Sequence, residues 1–175
     1  MMPVEVDETP LRGESPSAYV SRLAVAKASA LWSRLGEIER APVLGSDTTV
    51  ALGADIYGKP LNRADGIRML QSLAGRTHQV HTAVALRQAA GIDTRLNVSE
   101  VTFATLTLAE CEAYWASGEP EGKAGGYAVQ GLAAAFITRI VGSYSGIMGL
   151  PLAETTELLR RIDWTLRDVL RGAHV

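Results

Sequence analysis

The sequence predicts an α/β fold, a mixed sheet flanked by helices, on three observations. Helical stripes interleave with alternating, strand-type runs, glycine or proline separates most segments from the next, and no internal repeat or low-complexity segment intervenes. The 175 residues suffice for one domain with a sizeable core, and no stretch reads as a linker, so a single domain over residues 1–175 is expected. Hydrophobic residues at 47% and charged residues at 21% exclude wholesale disorder.

Taken in order, Val4–Val6 reads as a short strand, and Thr9–Ser17, with two prolines and a glycine, as a loop. Ser15 or Ser17 then caps a helix to about Leu35. Its apolar stripe is Val20, Ala24, Leu31 and Leu35, and Lys27 falls on that stripe where a leucine would be the simple choice. Val43-Leu44-Gly45 reads as a buried strand whose C-terminal end delivers Ser46-Asp47-Thr48. Thr49–Leu52 and Asp55–Tyr57 flank Gly53 as a hairpin. Asn62 caps a second helix with Ile67, Leu70 and Leu73 inward, and Gly75 stops it. His78–Leu86 alternates with Val80, Thr82, Val84 and Leu86 on one face, and Gly91 begins a return strand. There Leu96 and Val98 share a phase that Val101 and Phe103 break, which predicts a bulge near Ser99-Glu100. Thr107 caps a short helix to Trp115, and Ser117–Gly126 is a loop by composition. Tyr127–Gln130 and Ala135–Val141 read as strands, Pro151 opens a helix through Arg160, and a last helical piece spans Asp163–Arg171.

Lys+Arg 17 against Asp+Glu 19 leaves a net charge of −2, which argues against a nucleic-acid polymer as partner. The single cysteine, Cys111, excludes an internal disulfide framework and a Cys-cluster zinc site. No apolar run reaches the length of a membrane helix, and Met1–Glu8 is acidic where a signal peptide would be basic. A cytoplasmic protein with no membrane partner is the expectation.

Several residues are candidates for chemistry. Gly53–Pro60 nearly spells a P-loop, but Pro60 replaces the hydroxyl that would hold magnesium and the flanks read strand–turn–strand. Lys59 therefore stands either as a solvated lysine after a hairpin or as a phosphate ligand on another scaffold. His78 and His81 lie at odd spacing on a strand and face opposite sides, which argues against a zinc pair; His174 lies in the tail. Asp47 is either an Asx-turn residue or a carboxylate at a ligand site, since an ionised carboxylate on a buried strand needs a cation or donors. Lys27 either snorkels outward or shares a polar cleft with Asp47. Gln130 either bonds backbone at a strand end or reads a ring edge, its amide matching the N3–H and carbonyl of uracil or thymine.

The chain also resembles a known family. Tyr19-Val20, Arg22-Leu23-Ala24 and Lys27-Ala28, then Gly45-Ser46-Asp47-Thr48, Gly58-Lys59-Pro60 and Leu70–Gly75, are similar in order to the Maf nucleotide pyrophosphatases. Lys123–Gly131, Gly142-Ser143-Tyr144 and Met148–Leu152 continue the resemblance, which runs from Val6 to Leu159. The resemblance implies a fold like that of the inosine-triphosphate pyrophosphatases, with two lobes around a cleft, and a homodimer. It implies hydrolysis of nucleoside triphosphates to the monophosphate and pyrophosphate with a divalent cation, Mg2+ or Mn2+. By the same resemblance, Asp47 is the general base and a metal ligand, Glu8 lies near the metal, and Lys27 and Lys59 contact phosphate. Thr48 and Gln130 are similar to the branch that acts on dTTP and UTP, with modified pyrimidine nucleotides as further substrates; the methylated-GTP branch carries Asp-Gln and Glu-Gly instead.

The family's opening strand and Ser-x-x-Arg-Arg phosphate loop have no equivalent here, and Arg12, on an open loop after Glu8, does not replace them. Two expectations follow: strand edges left unpaired, and weaker phosphate binding. A second functional reading therefore stands beside the enzyme, that of a non-catalytic nucleotide-binding or cell-division regulatory protein.

Overall fold

The computed structural model describes residues 2–36, 41–165, 167 and 168. Helix α1 (Pro16–Arg34) leads into β1 (Val43–Leu52), β2 (Asp55–Tyr57), α2 (Arg63–Leu73), β3 (Thr77–Gln88) and β4 (Gly91–Phe103). Helix α3 (Leu108–Ala116), β5 (Ile137–Val141), α4 (Tyr144–Ile147) and α5 (Leu152–Leu159) follow. The strands form one sheet in the order β2-β1-β3-β4-β5. The α/β class is as the sequence predicts, but the ladders described are all antiparallel where a mixed sheet was expected. The tight returns after Leu52 and Gln88 join consecutive strands as hairpins, which antiparallel pairing alone permits.

Each face of the sheet has its own core. On one face, α1 lays Val20, Leu23, Ala24, Ala28 and Trp32 on Val43, Ala83 and Ala85. On the other, Val50, Val80, Val101 and Phe103 meet Ile67, Leu70 and Leu73 of α2 and the buried Tyr127. Helix α5 adds Leu158 against Val84 and Leu86. Burial on both faces explains the unbroken apolar run Ala83–Leu86 in β3.

The caps behave as their residue types dictate. Ser15 Oγ accepts from Ala18 N at 3.3 Å, Asn62 Oδ1 from Asp65 N at 3.0 Å, and Thr107 with Glu110 forms a capping box. Gly75, at φ +69°, ends α2.

Several predicted elements differ. Val4–Val6 has no ladder partner among the described residues and is irregular. Ser46-Asp47-Thr48 lies inside β1 rather than at its end, because nine successive pairs with β3, from Val43↔Arg87 to Ala51↔Gln79, run straight through it. No bulge occurs at Ser99-Glu100, since the β3–β4 register is unbroken from Thr77↔Thr102 to Gln88↔Gly91. The phase change has another cause: Leu96 and Val98 lie on the α1 side of the sheet and stay 40% and 41% exposed, while Val101 and Phe103 enter the opposite core. The only register shift in the described β4 pairings lies between Thr102 and Phe103, against β5.

Tyr127–Gln130 is not a strand. Its buried apolar residues follow two glycines in left-handed conformation, Gly125 and Gly126 at φ +68° and +70°, which turn the chain away from a ladder. Residues Leu132–Ala135 form a 3₁₀ turn, so β5 starts at Ile137 instead of Ala135. Helix α5 is followed by a 3₁₀ turn over Arg160–Ile162, and Asp163 turns left-handed at φ +60°. The helical piece expected over Asp163–Arg171 lies largely outside the described residues.

Gly45 sets the distance between α1 and the sheet. A Cβ there would stand 2.5 Å from Ala24 O and 2.7 Å from Ala28 N, both backbone atoms that cannot rotate aside. Gly45→Ala is expected to cost about 1–3 kcal/mol, the usual range for overpacking. Urea unfolding measures it, with a lower midpoint at unchanged slope as the expected result.

Candidate active site

Four segments bring charge together where α1 crosses β1. Asp47 points to the α1 side of the strand, and Lys27 reaches it from the helix stripe, Nζ donating to Asp47 Oδ1 at 2.5 Å. The same Nζ pairs with Glu8 Oε1 at 2.8 Å, and Lys59, just past β2, lies 3.6 Å from Glu8 Oε2. The four side chains form an alternating chain of charge: Lys59, Glu8, Lys27, Asp47. Asp47 is 9% exposed and Lys27 20%, whereas Lys59 is 60% exposed.

Burial raises the Asp47 carboxyl above its ordinary value, with the Lys27 ammonium opposing. The Lys27 hydrogen bond lowers Glu8 despite partial burial. Burial would lower Lys27, but its bonds to the two carboxylates outweigh that and raise it.

The irregular segment carrying Glu8 is fastened to α1. Tyr19 Oη donates to Glu8 O at 2.8 Å, and Arg22 Nη2 donates to Thr9 O at 3.1 Å. Arg22 also forms a two-pronged pair with Glu14, Nε to Oε1 at 2.7 Å and Nη2 to Oε2 at 2.8 Å. Sequence reasoning gave Tyr19 and Arg22 no role, and their spacing of three, one helical face, was the available signal.

Lys27, Asp47, Thr48, Lys59 and Gln130 all border one cavity of about 460 Å³. Glu8 borders the adjoining cleft, shared with Lys27 and Lys59, on the far side of the two ammonium groups. Lys123 also borders the main cavity and was passed over, since a glycine-rich loop gives no hint of where its lysine points. Gly125 N donates to Gly58 O at 3.0 Å, which ties that loop to the turn carrying Lys59.

Gln130 is exposed at the cavity rim on a segment held from behind. Glu119 accepts from Tyr114 Oη at 2.7 Å, Leu132 N at 2.7 Å and Ala133 N at 3.1 Å, and Tyr114 Oη accepts from Ala128 N at 3.2 Å. Burial raises the Tyr114 phenol, aided by the Glu119 carboxylate, so the phenol stays protonated as a donor.

His78 and His81 face opposite sides of β3 as expected. His78 Nε2 meets Tyr127 Oη at 2.9 Å inside the core, where burial pushes the imidazole down to about 4. His81 Nδ1 meets Ser17 Oγ at 3.0 Å on the α1 side. Gly53 opens the turn between β1 and β2, so the P-loop-like segment lies in a strand–turn–strand setting, as read. Cys111 is buried in the core, and His174 lies outside the described residues.

Among the described residues no group of three or more His, Cys, Asp and Glu could hold a metal ion by itself. Two carboxylates, Glu8 and Asp47, nevertheless converge on one cation, the Lys27 ammonium. A pair of hard oxygen donors facing an anionic ligand suits Mg2+ or Mn2+, which need only one or two carboxylates when phosphate oxygens complete the shell. The donor set fits such an ion.

Comparison with known proteins shows what the chain is similar to. Residues 1–162 match the family of Maf-like proteins. A dTTP/UTP pyrophosphatase of Alkalilimnicola ehrlichii is 52% identical over 160 residues, which cover 88% of this chain and 77% of that protein. The protein of the same name from a Polaromonas species is 54% identical over 158 residues, 89% of this chain and 78% of its own. That of Pseudoalteromonas atlantica is 47% identical over 159 residues, with 90% and 83% covered.

Lys27→Met tests the charge cluster. It leaves the Asp47 carboxylate without its ammonium and is expected to cost about 1–3 kcal/mol near neutral pH. The deficit depends on ionised carboxylates. Lys27 draws the values of both Asp47 and Glu8 down in the parent, so the stabilisation it gives is present while they are ionised and fades as falling pH protonates them. Unfolding of parent and variant at pH 7.5 and pH 5 should show the gap narrowing on acidification.

Proposed function

The chain belongs to the Maf-like family, and on that premise we propose that it hydrolyses nucleoside triphosphates, dTTP and UTP, to the monophosphate and pyrophosphate. The observation that carries this reading is the meeting of Lys27, Asp47, Thr48, Lys59 and Gln130 on one cavity. Relatives about half identical over most of their length are named for that activity.

The residues divide the work by charge. Lys27, Lys59 and Lys123 line the cavity with three ammonium groups, which suit the triphosphate oxygens and the charge that grows during attack at the α-phosphorus. Asp47 takes the proton from the attacking water. The water oxygen bonds to the α-phosphorus, the bond to the bridging oxygen breaks, and pyrophosphate leaves with that electron pair. Burial favours this role, because a carboxylate whose pKa is raised is a better base than an exposed one. No side-chain nucleophile is needed, in keeping with Cys111 buried in the core. Glu8 and Asp47 would hold a divalent ion, which when bound supplies positive charge to the phosphates.

Gln130 and Thr48, also on the lining, are the groups that meet the nucleoside on this reading. The Gln130 amide offers an acceptor and a donor side by side, the complement of the uracil or thymine edge. No helix among the described residues is long and apolar enough to cross a membrane, and the reading places the protein in the cytoplasm acting on the free nucleotide pool. The alternative of a nucleotide-binding regulator without catalysis has no observation of its own in its favour.

The test is pyrophosphate release with Mg2+ or Mn2+ across the common nucleoside triphosphates. Turnover should be highest with dTTP and UTP, and Asp47→Asn should lower kcat by about 100-fold or more, the scale of general-base catalysis. Absence of turnover from folded parent protein would overturn the catalytic reading.

A further inference from the structure

Hydroxyl protons along β1 have a direction, and the direction is legible. Thr82, fully buried on β3, donates its single proton to Gly146 O at 2.7 Å. Thr82 Oγ1 also lies 2.9 Å from Thr48 Oγ1. Such a contact needs one proton between the two oxygens, and that of Thr82 is already committed. Thr48 is therefore the donor to Thr82, and only its lone pairs face the cavity. Ser46, two residues earlier on the same face, shares its one proton between Ala83 O at 3.0 Å and Gly149 O at 2.7 Å. Neither hydroxyl keeps a proton for a ligand.

An acceptor-only wall has two consequences. It repels phosphate oxygens, which leaves them to the lysines of the same cavity. It also takes only a group that brings its own N–H or O–H. Gln130 alone cannot enforce that choice, because a half-turn of its exposed amide exchanges oxygen and nitrogen and suits cytosine as well as uracil. A hydroxyl whose proton is pinned from behind cannot reverse in this way.

We infer that Thr82 is a positioning residue that locks the Thr48 hydroxyl as an acceptor, so that the cavity selects a nucleoside carrying a hydrogen-bond donor there. That donor is the imide N–H of uracil or thymine, or a sugar hydroxyl. The inference rests on the nucleotide reading above and deepens it, since cytosine lacks a proton at N3. An unmatched buried acceptor pair is the kind of mismatch that separates close analogues.

The experiment is calorimetric binding of non-hydrolysable α,β-methylene analogues of UTP, CTP and 3′-deoxy-UTP to parent, Thr82→Val, Thr82→Ser and Thr48→Val, with folding checked by circular dichroism. Parent protein should prefer the UTP analogue over one of the other two by about tenfold, the loss expected for an unpaired group. Thr82→Val frees the Thr48 proton and should shrink that preference about fivefold or more, while Thr82→Ser keeps it. A shift in the UTP/CTP ratio identifies the imide as the donor, and a shift in the UTP/3′-deoxy ratio identifies the sugar. Unchanged ratios in folded Thr82→Val overturn the inference, as does parent protein with neither preference. Should Thr82→Val not fold, Thr48→Val decides alike: loss of the preference supports the inference and retention overturns it. Turnover is scored separately, so a preference without hydrolysis sinks only the catalytic reading, and hydrolysis with a Thr82-insensitive preference sinks only this one.

Discussion

The pairing of Lys27 with Asp47 is the constraint around which the rest of the structure is arranged. A charged side chain on the inward stripe of a helix and another on the buried face of a strand are each costly alone. They are tolerable only when helix and strand come close enough for the charges to meet. That closeness is a matter of backbone: Gly45 carries no Cβ where α1 crosses, and the helix offers Ala24 and Ala28 at the contact. The residues flanking the ion pair are small because the pair is short. Packing and chemistry are thus one requirement here, and a larger residue at the crossing would loosen both.

A second level of organisation lies in how the cavity separates donors from acceptors. Its lining includes ammonium groups on an α-helix, a post-hairpin turn and a glycine loop. It also includes hydroxyls whose protons point into the protein. On the proposed reading, a ligand with an anionic part and a donor-bearing part meets both kinds of group. Electrostatics alone would fix the phosphates but leave the nucleoside free to choose its face, and the hydroxyl directions remove that freedom.

Much of the fold and most of the candidate residues that meet at the cavity were legible in the sequence, and the exceptions share a cause. Helix caps at Ser15, Asn62 and Thr107 are local, decided within three residues, and a sequence displays them directly. The candidate residues Lys27 and Asp47 stood out because each violates its own pattern, a lysine on an apolar stripe and a carboxylate in a buried strand. What escaped was decided by partners distant in the chain. The phase change at Leu96 and Val98 looked like a bulge, but it reflects which part of the sheet α1 covers. Tyr127–Val129 looked like a strand because burial makes any segment apolar, and only the left-handed glycines before it show that the segment turns. Thr82 and Glu119 support the site from positions where a threonine in a strand and a glutamate in a loop attract no notice.

The long reach of these supports says something about when the site comes into being. Ser46 bonds to Gly149 across 103 residues of chain, Thr82 to Gly146 across 64, and Glu119 holds the segment of Gln130 from a different loop. Helix α1 and β1 can place Lys27 near Asp47 early, since they are neighbours in sequence. The hydroxyl arrangement of Ser46 and Thr82 cannot form until the turn over Gly146–Gly149 has docked on the sheet. Gly149, at φ +106°, is what lets that turn approach, since a Cβ there would stand 3.4 Å from Thr48 Oγ1 in a backbone conformation that side chains rarely adopt. The Lys27–Asp47 pair is therefore built from neighbouring elements, whereas the hydroxyl arrangement depends on closure of the whole fold, and on the proposed reading a change that loosens the late-docking turn should erode nucleoside selectivity before it erodes the ion pair.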